Sequence, residues 1–168
     1  VNAAGTYAVT VTNANGCTSI CSKTVLVNPL PICTIIGDSF ICLGESSQLC
    51  VPAGATSYLW STGATTNCIS VNTAGTYVVT VTYSNGCSSI CSRTVLVSPL
   101  PICTISGDNF ICEAGQTTQL CVPAGAASYL WSTGATTNCI IASAAGTYTV
   151  TVTASIGCTS VCSEMKTV

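Results

Sequence analysis

Apolar and polar side chains alternate without a break in GTYTVTVT at 146–153. Tyr148, Val150 and Val152 hold one parity, and Thr147, Thr149, Thr151 and Thr153 hold the other. A period of two sends the two sets to opposite faces of an extended chain, so the segment predicts a half-buried strand with Tyr and Val inward. The pattern recurs at 5–12 and 75–82, with Tyr7, Val9 and Val11 and then Tyr77, Val79 and Val81 on the inner parity. The outer parity is freer, with Ala8, Val78 and Thr149 at equivalent places. Asn15-Gly16 and Asn85-Gly86 follow and predict two-residue hairpin turns, since both residue types accept positive φ. Ile156-Gly157 is a poorer turn by that rule. The run ICSRTVLV at 90–97 reads as the return strand. Further strands are expected at 32–36, 47–51, 57–60 and 67–71, bounded by Gly, Pro, Ser or Asn. No segment reads as a long amphipathic helix.

These elements repeat. PICTIIGDSFIC at 31–42 returns as PICTISGDNFIC at 101–112, and SYLWSTGATTNCI at 57–69 returns unchanged at 128–140. The offset is 70 residues up to Cys112 and 71 beyond it, because LGESSQLC at 43–50 becomes EAGQTTQLC at 113–121. An insertion that leaves both flanks intact belongs in a loop, which puts a turn near Leu43–Ser46. Residues 1–30 match 71–100 almost position by position. The expected organisation is therefore the back part of one repeat at 1–30, a complete repeat at 31–100 and another at 101–168. Six or seven short strands in each full copy argue for an antiparallel sandwich.

The combination of SYLWSTGATT, AGTYxVTVT and the following NGC resembles the PKD-like and immunoglobulin-like repeats of large secreted bacterial adhesins, especially those of Bacteroidota. That resemblance covers each repeat almost end to end. It implies all-β, tandem Ig-like or PKD-like β-sandwich domains of about 70 residues, strung as spacers along extracellular proteins. The sequence departs from it by carrying six cysteines per repeat, which points to a hardened, disulfide-stapled version.

Composition narrows the function. There are fourteen cysteines, no histidine, three basic and five acidic residues, and a net charge of −2. Cysteine at this density belongs to an oxidising compartment, so the chain is expected to be secreted and extracellular or on the cell surface. No basic patch exists to hold nucleic acid or an anionic membrane surface. No apolar run approaches the roughly 18–20 residues of a membrane helix. VNAAGTYAVTVT lacks the basic start and apolar block of a signal peptide, so the chain reads as a mature or internal piece. Low charge also removes the repulsion that keeps domains apart. Faces of Ser, Thr and Asn suit packing against other copies.

The cysteines of the full repeats are Cys33, Cys42, Cys50, Cys68, Cys87 and Cys91, then Cys103, Cys112, Cys121, Cys139, Cys158 and Cys162. A metal site is not expected, because only Cys87/Cys91 and their equivalents have a spacing near that of zinc ligands. Disulfides suit a small sandwich better, since its core is small and each bond adds about 2–4 kcal/mol. Parity and strand adjacency suggest Cys33–Cys91, Cys42–Cys87 and Cys50–Cys68, with Cys103–Cys162, Cys112–Cys158 and Cys121–Cys139 in the second copy. Cys17 and Cys21 match Cys87 and Cys91, so their partners are expected outside 1–30, either upstream or on another subunit.

Other candidates have plainer readings. Trp60 and Trp131, with Tyr58 and Tyr129, suggest a carbohydrate platform, but a lone Trp on a central strand of such a sandwich is usually core. Asp38, Glu45, Asp108 and Glu113 are too few per repeat for a calcium shell and read as solvated loop residues. Without histidine no nucleophile–base pair is available, and a spacer offers no obvious cleft for paired carboxylates. No enzyme activity and no cofactor are expected. No Asn-x-Ser/Thr sequon is present. The expected role is a structural repeat of an extracellular filament that associates with copies of itself. The alternative is a passive stalk of a giant adhesin whose binding tip lies elsewhere. The short segments NPLP at 28–31 and SPLP at 98–101 favour stiff junctions in either case.

Overall fold

A computed structural model of the chain describes residues 1–111 and 116–167. Among its described residues the regular elements are all strands. In chain order these are β1 (Gly5–Thr12), β2 (Thr18–Val25), β3 (Phe40–Cys42), β4 (Ser47–Cys50), β5 (Ser57–Trp60), β6 (Cys68–Val71), β7 (Gly75–Thr82) and β8 (Ser88–Ser98). They continue with β9 (Thr118–Cys121), β10 (Ser128–Trp131), β11 (Cys139–Ala142), β12 (Gly146–Thr153) and β13 (Thr159–Lys166). The chain divides into two compact units. One comprises Val1–Ile36, Cys50–Ile69 and Tyr77–Arg93, and the other Gly37–Leu49, Ser70–Thr76 and Thr94–Val168.

The long alternating segments are hairpin strands. β1 pairs antiparallel with β2, and β12 with β13, each over eight residues. SYLW adds a strand to the edge of the alternating segment in the same register twice. Trp60 stands opposite Val79 in β5–β7, and Trp131 opposite Val150 in β10–β12. The sheets are ordered β1-β2, β3-β8-β7-β5, β4-β6, β10-β12-β13 and β11-β9.

In the second unit the inner faces of two sheets meet in one core. Leu120 and Val122 at β9, Trp131 on β10, Ile140 and Ala142 on β11, and Val150 and Val152 on β12 form a single buried cluster. That is a sandwich, with alternate residues of each strand supplying the core. Full burial of each large apolar side chain stabilises the fold by about 1.5–3 kcal/mol. Trp131 satisfies its one polar atom by donating from Nε1 to the Thr137 carbonyl at 2.8 Å.

Three details differ from expectation. The hairpin loops are longer than two residues. Gly16 donates to the Asn13 carbonyl and Asn13 to the Cys17 carbonyl, both at 3.0 Å, and Tyr83–Cys87 and Ala154–Cys158 repeat the arrangement. Only the glycine adopts positive φ, 82° at Gly16, 79° at Gly86 and 91° at Gly157. Gly157 closes its turn as Gly16 and Gly86 do, while Asn85 adds a contact that Ile156 lacks, its Oδ1 accepting from the Cys87 amide at 2.9 Å. Second, 32–36 is not a strand. It contributes one bridge, Ile36 to Cys50, while FIC at 40–42 forms β3. Third, β3 runs parallel to β8, with Phe40 beside Leu96 and Cys42 beside Ser98. The opening strand reaches the last strand by a crossover, which permits a parallel neighbour. Phe110 and Thr167 repeat that parallel bridge. The turn expected near Leu43–Ser46 is present, with Glu45 donating to the Cys42 carbonyl at 2.9 Å.

Candidate functional site

Among the described residues five disulfides are formed: Cys33–Cys91, Cys42–Cys158, Cys50–Cys68, Cys103–Cys162 and Cys121–Cys139. Cys121 and Cys139 are direct cross-strand partners in β9–β11, each next to an inward Leu120 or Ile140. Cys17, Cys21 and Cys87 form no disulfide, and Cys17 and Cys21 are exposed.

The expected Cys42–Cys87 bond does not form, and Cys42 is joined instead to Cys158, 116 positions away. The reason lies in β8. Cys42 stands beside Ser98, the last residue of β8, whereas Cys87 immediately precedes Ser88, its first. Eleven residues of extended chain span about 35 Å, far beyond the roughly 4.4–6.8 Å Cα separation of a disulfide. Cys42 therefore lies at the end of the strand that leads into SPLP. There it meets Cys158, just past the hairpin turn of the second sequence copy, at a Cα separation of 5.6 Å. Cys158 is consumed by this bond, so the expected Cys112–Cys158 pairing does not occur. Cys112 itself lies outside the described residues, as does Glu113.

The hairpin β1–β2 carries core chemistry without a core. Tyr7, Val9 and Val11 are 40%, 54% and 58% exposed, whereas their sequence equivalents Tyr77, Val79 and Val81 are 8%, 0% and 1% exposed. β7 has β5 at its edge, whereas among the described residues β1 pairs with β2 alone.

The outward faces are more apolar than their threonines suggest. Leu130, Thr151 and Val161 stand in register across β10, β12 and β13. Leu130 and Val161 are 57% and 63% exposed, and their sequence equivalents Leu59 and Ile90 are 58% and 69% exposed. The period of two in SYLW contains this signal. Once Tyr and Trp are inward, the leucine must face out.

The remaining candidates are structural. Trp60 is 2% exposed and donates from Nε1 to the Thr66 carbonyl at 2.8 Å, so neither it nor Trp131 can stack on a sugar. The Tyr58 hydroxyl accepts from the Ala55 amide and donates to the Pro52 carbonyl, and Tyr129 does the same with Ala126 and Pro123. Asp38 accepts a 2.8 Å hydrogen bond from the Ser47 hydroxyl, whose oxygen accepts from the Asp38 amide. That carboxylate pins the start of β4. Glu45 is exposed in the turn before β4, and Asp108 is exposed on the segment leading to Phe110. Among the described residues no group of Cys, Asp and Glu is arranged to hold a metal ion.

Lys166 departs from the repeat. It occupies the place of Val95, which is fully buried, and is itself 1% exposed. Its Nζ donates to Asn109 Oδ1 at 3.1 Å, with Glu164 Oε1 at 4.0 Å. Asn109 in turn stands where the first copy has Ser39, so both members of the contact changed together. A cleft of about 350 Å³ is lined by Pro99, Pro101, Ile102, Pro123, Val152 and Ala154 among others, with no ionisable group in its wall.

No family model matches the chain, and no curated protein matches it. Among solved structures, murine CEACAM1b is similar over 82% of this chain and 100% of its own, at 10% identity and a TM-score of 0.39. A Ca2+-stabilized adhesin that helps an Antarctic bacterium reach out and bind ice is similar over 96% of this chain and 56% of its own, at 16% identity and a TM-score of 0.40. A 1.5-MDa bacterial ice-binding adhesin gives 16% identity over 96% of this chain and 73% of its own, with a TM-score of 0.40.

Proposed function

We propose that the chain is a structural segment of an extracellular filament or fibre, built from tandem sandwich repeats and self-associating through its sheet faces. The observation that carries this reading is the recurrence of exposed apolar residues at matching places in both copies. Leu59 and Ile90 in one, and Leu130 and Val161 in the other, are all more than half exposed. A solvated sheet face normally carries polar side chains outward, so apolar side chains held outward at the same places in both copies suit a face that packs. Five acidic and three basic residues put little charge in the way. Repeats 31–100 and 101–168 act as successive domains in this reading. Cys42–Cys158 joins the two sequence copies within one compact unit, so that tension along the chain meets a covalent bond as well as a short proline junction. Disulfides at this density suit an oxidising, extracellular setting, and the chain works without catalysis.

A stalk of a surface adhesin is the second reading. The burial of Trp60 and Trp131 favours it, because it removes the most plausible glycan platform and would send ligand binding to another part of a longer protein.

Sedimentation velocity across a concentration series separates the two. Self-association gives a sedimentation coefficient that rises with concentration, and Leu59→Glu with Leu130→Glu abolishes the rise. A constant value matching one elongated chain overturns the self-associating reading and leaves the stalk.

A further inference from the structure

Each hairpin turn is followed at once by a cysteine: Cys17 after Gly16, Cys87 after Gly86 and Cys158 after Gly157. All three have the same backbone setting, their carbonyls accepting from Asn13, Tyr83 and Ala154 respectively. Cys158 is bonded, and its partner Cys42 comes from the F-I-C segment of the preceding sequence copy. Cys87 stands in the same setting with no disulfide, and its own copy's F-I-C cysteine is already taken. The pairing rule is thus one repeat out of step: a turn cysteine bonds the F-I-C cysteine of the copy before it.

We infer that Cys87 is an intermolecular or inter-repeat linkage site whose partner is the F-I-C cysteine of a further repeat of this pattern, and that Cys17 is a second such site. Applied repeatedly, the rule gives an unbroken ladder in which every repeat is bonded both to the one before and to the one after. The segment F-I-C that ends in Cys112 supplies the matching donor for the next turn cysteine along. The chemistry is thiol–disulfide exchange with a disulfide-bearing oxidant of the export pathway. The Cys87 thiolate attacks that disulfide, the resulting mixed disulfide is attacked by the F-I-C thiolate, and the oxidant leaves as its dithiol. Two thiols lose two protons and two electrons, and the oxidant gains them. This inference rests on the tandem-array reading, and adds to it a covalent bond at each junction.

The test is disulfide mapping of the native, thiol-blocked protein. Digestion with pepsin at acidic pH suits it, because exchange needs thiolate and tryptic sites are scarce. A Cys87 peptide linked to the Cys112 peptide supports the inference and makes the source a second copy. A Cys87 peptide linked to an F-I-C peptide with flanks absent from this sequence supports it and makes the source a longer chain. Cys87 recovered blocked as a free thiol, or linked to Cys17 or Cys21, overturns it. If that happens in material that still sediments as an assembly, the filament reading survives and the ladder alone is lost. Where the source is a second copy, non-reducing gels of Cys17→Ser with Cys87→Ser are a second readout, with the covalent oligomers expected to disappear while the Cys42–Cys158 peptide persists.

Discussion

Cys42 and Cys158 are joined across 116 positions of sequence, and the bond reaches from the end of β3 in one sequence copy to the turn before β13 in the next. Closing so long a loop restricts the unfolded chain strongly. The chain-entropy account assigns about 4–5 kcal/mol to a loop of this length. Cys42→Ser is therefore expected to lower stability by about 3–5 kcal/mol, and Cys158→Ser by the same amount. The double variant should cost no more than either single one. Chemical denaturation of the three variants checks this, and additive losses would mean the two cysteines act separately.

The exposed and buried versions of one strand make a paired comparison. Val79→Ser removes a fully buried side chain and places a hydroxyl in the core, at a cost of about 2–4 kcal/mol. Val9→Ser, at the equivalent place in β1, is expected to change stability by less than about 0.5 kcal/mol. Urea midpoints of the two variants measure the difference directly.

The buried Lys166 donates to Asn109, and the first copy has Val95 and Ser39 at these two places. Replacing a buried charge by an apolar side chain of fitting shape is often neutral or stabilising, whereas removing only its partner is costly. Lys166→Val is expected to hold or raise the denaturation midpoint. Asn109→Ala, which strips the ammonium of its 3.1 Å hydrogen bond, should lower stability by about 1–3 kcal/mol. The double change Asn109→Ser with Lys166→Val should restore the midpoint, and a fall in that double variant would contradict the pairing.

What the sequence reveals and conceals follows from the range of each interaction. Strict alternation in GTYTVTVT places Val150 and Val152 in the core, because the side-chain period of a strand is local information. The same period holds Leu59 and Leu130 outward, a consequence legible in SYLW once its Tyr and Trp are inward. β3 has three residues and no alternation to show, and 32–36 looks like a strand although its Cys33 is held by Cys91 rather than by a ladder. The turn residues mislead in a different way. Asn-Gly suggests a two-residue turn, whereas the loop is longer, with positive φ at the glycine alone and the Asn85 side chain accepting from the Cys87 amide. The Cys42 partner depends on which end of β8 lies beside β3, and no local pattern carries that.

Assembly through the outward sheet faces is tested by surface charge. Leu130→Glu and Val161→Lys lie on exposed positions of one cross-strand row, so the folded chain should keep its denaturation midpoint within about 0.5 kcal/mol. Light scattering should nevertheless report loss of the assembled species. Assembly at wild-type level in both variants would move the interface elsewhere.

The most direct measurement is electron microscopy of the purified protein before and after a reducing agent. Long filaments of regular axial repeat are expected, and they should soften, fragment or lose their straightness on reduction. Short separate rods under both conditions would contradict this expectation.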